Sequence, residues 1–425
     1  MTTSTSAAPQ RTRSPLFRRD FALIWTAGLV SDTGDWLLMI ALPLFALSAT
    51  GSALGASTVF LVELVPMLLL GSFLGVLVDR WDHRKTIMVV ALLQGVLLLP
   101  LLAASADTMG IVYAVAAVEA VLGAVINPAR QAMIPQLVGR EQLASGNALV
   151  AVSDSLARLI GSPLGGLAFA LWGLPGVVIA DAATYLVTAV LVALSRPHPP
   201  VATDEEGEEP IAAERRILRE WVAGLALIAR SGTLRVLALI AALGGVAQGL
   251  FLVLFLVYVT QNLGAGDTGA GIIRGVQAIG GVLGGLVTGW LARRLGPRSL
   301  VGGGYLVFGI LSLLAWNLAP FTTALWVYAG LFIAMGLPSV TTATGEITLV
   351  QTNVPPRTLG RVIAAMTTVD GAAQALGLLL GGLLADRGDI VPILDVQASL
   401  YLLCGVIGIA ALRHEKRLPS AVARQ

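Results

Sequence analysis

Ten ionisable side chains lie within stretches of sequence otherwise fit for hydrocarbon: Asp32, Asp35, Glu63, Glu119, Asp154, Arg158, Asp181, Arg274, Glu346 and Asp370. Each costs about 2.5–3.5 kcal/mol at a bilayer centre on insertion scales, so such groups mark function or are neutralised by a partner. Acids outnumber bases here, so some carboxyls must be protonated, hydrated in a cavity or shared. A carboxyl so placed can carry a proton through a transport cycle. Asp32 and Asp35 are three residues apart and share one helix face. They are the first candidates for proton coupling; the alternative is that each bonds a neighbouring helix backbone. Glu63 reads equally as a proton carrier or as a packing acid satisfied by a Ser or Thr. Asp154 and Arg158, at i and i+4, are expected to neutralise each other, although both also qualify as cavity groups. Glu346 lies near the end of its stretch and reads as a gate or interface acid.

The elements that must position these groups are apolar helices. Only 12 % of the residues are charged and 56 % are hydrophobic, and the mean hydropathy is +0.84. A soluble domain carries about 25 % charged residues, so water is not the main solvent. Twelve stretches are long enough to cross a bilayer, in which only a helix or closed barrel satisfies its own backbone. They fall at about 21–47, 53–78, 86–102, 109–129, 142–171, 174–194, 233–260, 267–291, 300–318, 322–350, 359–384 and 392–412. The expected fold is all-α and integral to the membrane.

Charge sets the expected orientation. An even number of spans puts both termini on one face, and 24 of the 27 Lys and Arg fall on that face. The positive-inside rule makes it cytoplasmic. The net charge of +2 therefore reports topology and not a nucleic-acid partner. Residues 1–20 read as a solvated tail rather than a secretory signal, because they lack an apolar core. Residues 21–194 form a first bundle of six spans. Residues 195–231 form a linker, Pro-rich and then acidic, ending in a helix with Ile217, Leu218, Trp221, Leu225 and Ile228 on one face, as expected of a helix lying on the membrane surface. Residues 232–412 form a second six-span bundle, and 413–425 a tail. One cysteine excludes an internal disulfide, and one Cys with three His makes a structural zinc site unexpected. No phosphate-cradling Gly-Lys-Ser/Thr loop is present, so no ATP-driven step, enzyme activity or cofactor is expected.

The two bundles repeat each other. Gly75–Lys85 (GVLVDRWDHRK) follows the second span and Gly289–Ser299 (GWLARRLGPRS) the eighth, at an offset of 214 residues. Gly165-Gly166-Leu167 recurs as Gly381-Gly382-Leu383 at an offset of 216, which also places Asp154 on Asp370. Two six-helix repeats around a central site is the architecture of alternating-access transporters. Gly161, Pro163, Gly165 and Gly166 in the fifth span supply small residues for close helix contact and a bend.

The Gly75–Lys85 segment resembles the motif that the major facilitator superfamily carries between its second and third helices. Asp82 stands where the family prefers Gly, so the turn is expected to be costlier. Asn127-Pro-Ala-Arg130, Asp181-Ala-Ala-Thr-Tyr185 and Val354-Pro-Pro-Arg-Thr-Leu-Gly-Arg-Val362 resemble the bacterial branch of macrolide-efflux and enterobactin-export proteins. The resemblance implies twelve helices in two pseudo-symmetric six-helix bundles, with the first, fourth, seventh and tenth helices lining a cavity. Glu119 would then be a second cavity acid, and Asp181, in a sixth helix, structural. Antiporters of the superfamily often carry an Arg four residues before a fourth-helix Gly; here Glu119 precedes Gly123 instead. In this fold Asp79 would meet the start of the eleventh helix with Arg130 as its cation. Arg80, Arg84 and Lys85 would hold the loop to lipid phosphates or facing acids.

The resulting expectation is a multi-pass protein of a bacterial cytoplasmic membrane, acting as a monomer on a small-molecule substrate with protons and the lipid bilayer as its other partners. Proton-coupled efflux of amphiphilic molecules leads. An importer or facilitator of a polar nutrient is the alternative, and a non-transporting receptor or scaffold the third reading. Few sugar-binding aromatic–polar clusters disfavour the second, and the retained gate charges and buried acids disfavour the third.

Overall fold

The computed structural model describes residues 15–78, 81–196 and 210–412. The described residues are helical throughout their regular structure, without strands. In chain order the helices are α1 (Arg19–Thr50), α2 (Ala53–Val78), α3 (His83–Leu97), α4 (Met109–Val138), α5 (Leu143–Leu194), α6 (Pro210–Arg230), α7 (Gly232–Val257), α8 (Gly266–Leu291), α9 (Pro297–Asn317), α10 (Leu325–Asn353), α11 (Pro356–Ala385) and α12 (Val391–Ala411). All but α6 are long and apolar enough to cross a membrane, α3 once the turn that follows it to Ala103 is included. α5 is two spans: Gly173, at φ 62°, breaks the helical path where a residue without Cβ is needed. Twelve spans therefore result among the described residues.

Helix ends follow local chemistry. Asp82 accepts from the Lys85 backbone N–H at 3.1 Å and caps α3. Its φ of −69° is open to any residue, so the costly turn expected at Asp82 does not arise; the acid serves as a cap. α3 is shorter than the sequence suggests: Pro100 removes a backbone donor, and a 3-10 turn over Leu99–Ala103 completes the span. Gly51, at φ 65°, closes α1.

In the first half α1 lies along α5, and α2 against α4; in the second, α7 lies along α11, and α8 against α10. Glycines set these approaches. A Cβ at Gly280 would overlap the Ile333 carbonyl, and one at Gly302 would meet Ile409, so the glycine runs of α8 and α9 are helix-packing surfaces. α6 lies against the start of α11: Gly224 abuts the Arg361 carbonyl, and Trp221 Nε1 donates to Thr368 Oγ1 at 3.1 Å. It is thus docked on protein as well as amphipathic.

The halves meet through two antiparallel pairs. Along α5 and α8, Gly166 touches Asp267 and Gly271, and Pro163 touches Gly275. Along α2 and α11, Ser57 Oγ donates to the Leu378 carbonyl at 2.6 Å and Gly382 sits on Leu54. These contacts lie toward the end that carries Ser52 and Asp386. Toward the arginine-rich end of the same helices, Gly71, Gly285, Gly289 and Gly360 have open space where a Cβ would be.

Candidate substrate and proton site

α1 presents Asp32 and Asp35 one turn apart, and its neighbours draw them to different partners. Asp32 Oδ1 accepts from Arg130 Nη1 of α4 at 2.7 Å, with the two side chains 13 % and 21 % exposed. Gly28 makes room for this pair: the Arg130 side chain passes over it at 3.0 Å from where a Cβ would stand. Asp154 on α5 lies within electrostatic reach of Asp32, Arg130 and Arg158. Arg130 is thus the counter-charge of Asp32; its expected partner Asp79 lies outside the described residues. A small cavity beside the pair is lined by Trp25, Gly28, Asp32, Arg130 and Ser153.

Asp35, exposed on the wall of an adjoining cavity, accepts from the Tyr185 hydroxyl at 2.6 Å. Tyr185 is itself 2 % exposed, on the second arm of α5. Its oxygen is 3.5 Å from Glu119 Oε2 of α4. Gln94 Nε2 of α3 donates to Glu119 Oε2 at 2.8 Å and to Tyr185 Oη at 3.2 Å. Glu119 Oε1 and Gln94 Oε1 are sealed from solvent without a partner among the described residues. Glu63 of α2 stands within electrostatic reach of Asp35 and Glu119 and makes no hydrogen bond among the described residues. Five elements thus bring three carboxyls around one hydroxyl, and no described cation forms an ion pair with any of them. Asp181 is fully buried behind this cluster, against Gly34, with Thr184 Oγ1 3.1 Å away.

Asp154 and Arg158 do not close the expected ion pair. Arg158 turns its guanidinium over Trp36, 5.3 Å from the ring centroid, and Asp154 is exposed. Gly161 seats Thr33 and Trp36 of α1, and Gly165 seats Leu37, so the small residues of α5 fix the height at which α1 presents its acids. In the second half Glu346 accepts from the Tyr305 hydroxyl at 2.8 Å.

Of the motif after α2, Gly75 belongs to the body of that helix, and Asp79 and Arg80 lie outside the described residues. Arg84 donates to the Val192 and Ala193 carbonyls at 3.2 and 2.7 Å, which satisfies the end of α5. Lys85 is 3.8 Å from Asp82 with both side chains well exposed, a contact worth little. Sequence reasoning missed Gln94, Trp36 and the role of Tyr185. The signal was present: a Gln and a Tyr inside apolar spans need partners. It also missed Asp386, just beyond α11, whose carboxylate accepts from Ser52 Oγ and, at 2.7 Å, from the Ala53 backbone N–H at the start of α2.

Twelve spans in two repeated halves are the architecture of a membrane transporter of the major facilitator kind. The sequence matches the transmembrane secretion effector family across residues 10–423, and the chain belongs to that family. It is 28 % identical over 404 residues to the multidrug efflux pump Tap of Mycolicibacterium fortuitum, covering 92 % of this chain and 95 % of that protein. It is 25 % identical over 378 residues to macrolide efflux protein A of Streptococcus pyogenes, covering 86 % and 89 %. A bacterial homologue of the iron transporter ferroportin in an inward-facing state shares the fold at a TM-score of 0.73 and 18 % identity, over 93 % of this chain and 99 % of that one. A bacterial homologue of the lysosomal transporter Spinster, also inward-facing, does so at 0.67 and 16 % identity, over 94 % and 96 %.

Proposed function

We propose that this protein exports amphiphilic small molecules across the bacterial cytoplasmic membrane, driven by protons returning inward. In this reading it works as a monomer by alternating access between residues 21–194 and 232–412, and both termini are cytoplasmic. The arginine-rich end then faces the cytoplasm, and the contacts near Ser52 and Asp386 close the outer end. The efflux names of the relatives and the lopsided distribution of cations support this direction.

The observation that carries the coupling is the shortage of donors around Tyr185. Its hydroxyl has one proton, given to Asp35 at 2.6 Å. Glu119 Oε1 and Gln94 Oε1 are left with none. Burying acceptors without donors is costly, and one added proton on either carboxyl supplies the missing donor. Asp35 is the first choice as carrier because it faces the cavity; Glu119 is the second and could hold a cationic substrate group instead.

The test is transport in everted vesicles under an imposed pH gradient with a panel of macrolides and dyes. Asp35→Asn keeps the Tyr185 bond and removes the titrating group. It should exchange substrate down its gradient and fail to concentrate it, and Tyr185→Phe should weaken uphill transport. Uphill export by Asp35→Asn that still collapses with the proton gradient would move the carrier to Glu119, Glu63 or Asp154. Wild-type vesicles that move no substrate on imposing the gradient would remove the efflux reading.

A further inference from the structure

Arg158 and Arg274 belong to different halves and converge on one indole. The Arg158 guanidinium carbon is 5.3 Å from the Trp36 ring centroid, and that of Arg274 is 6.0 Å from the same ring and 5.3 Å from Phe251. Arg274 lies one residue before Gly275, which touches Pro163, so the group sits where α5 and α8 close the space between the halves.

The two cations lack what buried cations need. Arg274 is 8 % exposed. A guanidinium has five N–H donors, and among the described residues Arg274 makes a single hydrogen bond, from Nη1 to Gln277 Oε1 at 2.9 Å. Arg158 hydrogen-bonds to no described residue, and its Nε is sealed from solvent without an acceptor. Neither closes an ion pair among the described residues. The charged group that acts on Arg274 is Arg158 itself, with the neutral Tyr401 beyond. Asp154 acts on Arg158 at longer range. The ring faces of Trp36 and Phe251 offer cation–π attraction but no negative charge. Two like charges facing each other in a poorly hydrated place call for an anion between them.

We propose that Arg158 and Arg274, with Trp36 and Phe251 between and beside them, form a clamp for the anionic head group of an amphiphile: a carboxylate, phosphate or sulfonate attached to an apolar or aromatic body. The planar fork of each arginine matches such oxygens in pairs. Because the arginines come from opposite halves, the bound anion bridges α5 and α8 and favours the arrangement in which those helices touch. The inference rests on the efflux reading only in taking the space between the halves as the substrate path.

The test uses protein in phosphatidylcholine nanodiscs, titrated with 1-naphthoate, 1-naphthalenemethanol and 1-naphthylmethylammonium and followed by calorimetry and thermal unfolding. These probes share one aromatic body and differ in charge. Naphthoate should bind at least tenfold more tightly than the alcohol, about 1.4 kcal/mol, and the ammonium more weakly still. Arg158→Gln and Arg274→Gln should each abolish the preference, and Arg274→Lys should keep part of it. Arg274→Gln should also unfold no earlier than wild type without ligand, since it removes an unpaired buried charge. If it does not fold, Arg158→Gln, at a half-buried position, carries the test. Loss of naphthoate binding on adding phosphatidylglycerol to the discs would identify a lipid head group as the anion; unchanged binding would identify a soluble one. Equal affinity for the three probes, or unchanged naphthoate binding in both glutamine variants, overturns the clamp. An Arg274→Gln protein that unfolds early while wild type ignores naphthoate would overturn it too, and would make Arg274 a partner for an acid in another state. Naphthoate binding without proton-driven transport of any substrate would keep the clamp and remove the efflux reading.

Discussion

Replacing Asp386 by alanine should loosen the contact that holds the two halves together at the Ser52 end. The carboxylate accepts from Ser52 Oγ and from the Ala53 N–H at 2.7 Å. It therefore caps the first turn of α2 from the opposite half, where the partial positive charge of the helix start favours an anion. Such caps are worth about 0.5–2 kcal/mol, and the exposed setting of Asp386 argues for about 1 kcal/mol. The contact exists only while the halves touch here, so its loss falls on that state alone and shifts the population roughly fivefold. Asp386→Asn, which keeps the acceptor and drops the charge, should shift it by less. Ser52→Ala with Asp386→Ala should be less than additive, because both remove the same bond. The assay is maleimide labelling of Ser57→Cys in a Cys404→Ser background. Ser57 is fully buried under α11, so labelling reports separation of the halves. The cost of Ser57→Cys itself is the same with and without Asp386 and cancels in the ratio. Labelling should be about fivefold faster in Asp386→Ala; an unchanged rate would refute the capping argument.

Asp32→Asn strands Arg130, which is 21 % exposed. Breaking fully buried pairs costs about 3–5 kcal/mol, so this partly exposed one should cost about 2 kcal/mol in stability. Asp32→Asn with Arg130→Gln should recover part of that in thermal unfolding; a double-variant loss equal to the sum of the two single losses would show that the pair is not coupled. Gly280→Ala places a methyl on the Ile333 carbonyl and should destabilise the α8–α10 contact by about 1–3 kcal/mol. Gly285→Ala, on the same helix with open space around it, should be neutral or stabilising by up to about 1 kcal/mol. Thermal unfolding of both proteins checks the contrast.

The spans were legible because hydrocarbon demands long apolar helices, and even the joint at Gly173 fell between two of the stretches read from sequence. Partners across helices were not. The spacing of Asp32 and Asp35 describes one helix face, but which residue answers each acid depends on where α4 and α5 stand. Asp32 finds Arg130 and Asp35 finds Tyr185, residues about a hundred or more positions away. The same limit misled the reading of Asp154 and Arg158. A spacing of four permits an ion pair, but the long arginine reached Trp36 on the adjacent helix instead. Asp386 was invisible as a cap because its helix start lies in the other half of the chain.

The internal repeat holds more than its glycines. At the offset of 216 residues, Asp32, Asp181 and Tyr185 fall on Gln248, Gln397 and Tyr401. Each tyrosine reaches the first helix of its own half, but at positions one turn apart: Tyr185 donates to Asp35 of α1 at 2.6 Å, and Tyr401 donates to Gln248 of α7, the counterpart of Asp32, at 3.2 Å. Gln397, in the place of Asp181, accepts from Trp316 Nε1 at 3.0 Å. Amides keep these hydrogen bonds without a group that titrates. Asp35 and Glu119 fall on Phe251 and Met335, both buried in a core where Phe251 meets Phe255, Trp316 and Phe332. The second half thus builds the same six-span frame with aromatic and aliphatic packing where the first half gathers carboxyls. The frame does not require those acids, and their cost inside a membrane is not repaid by folding. That contrast, between two copies of one architecture in a single chain, is the strongest physical reason to assign the Asp35–Tyr185–Glu119 cluster to function.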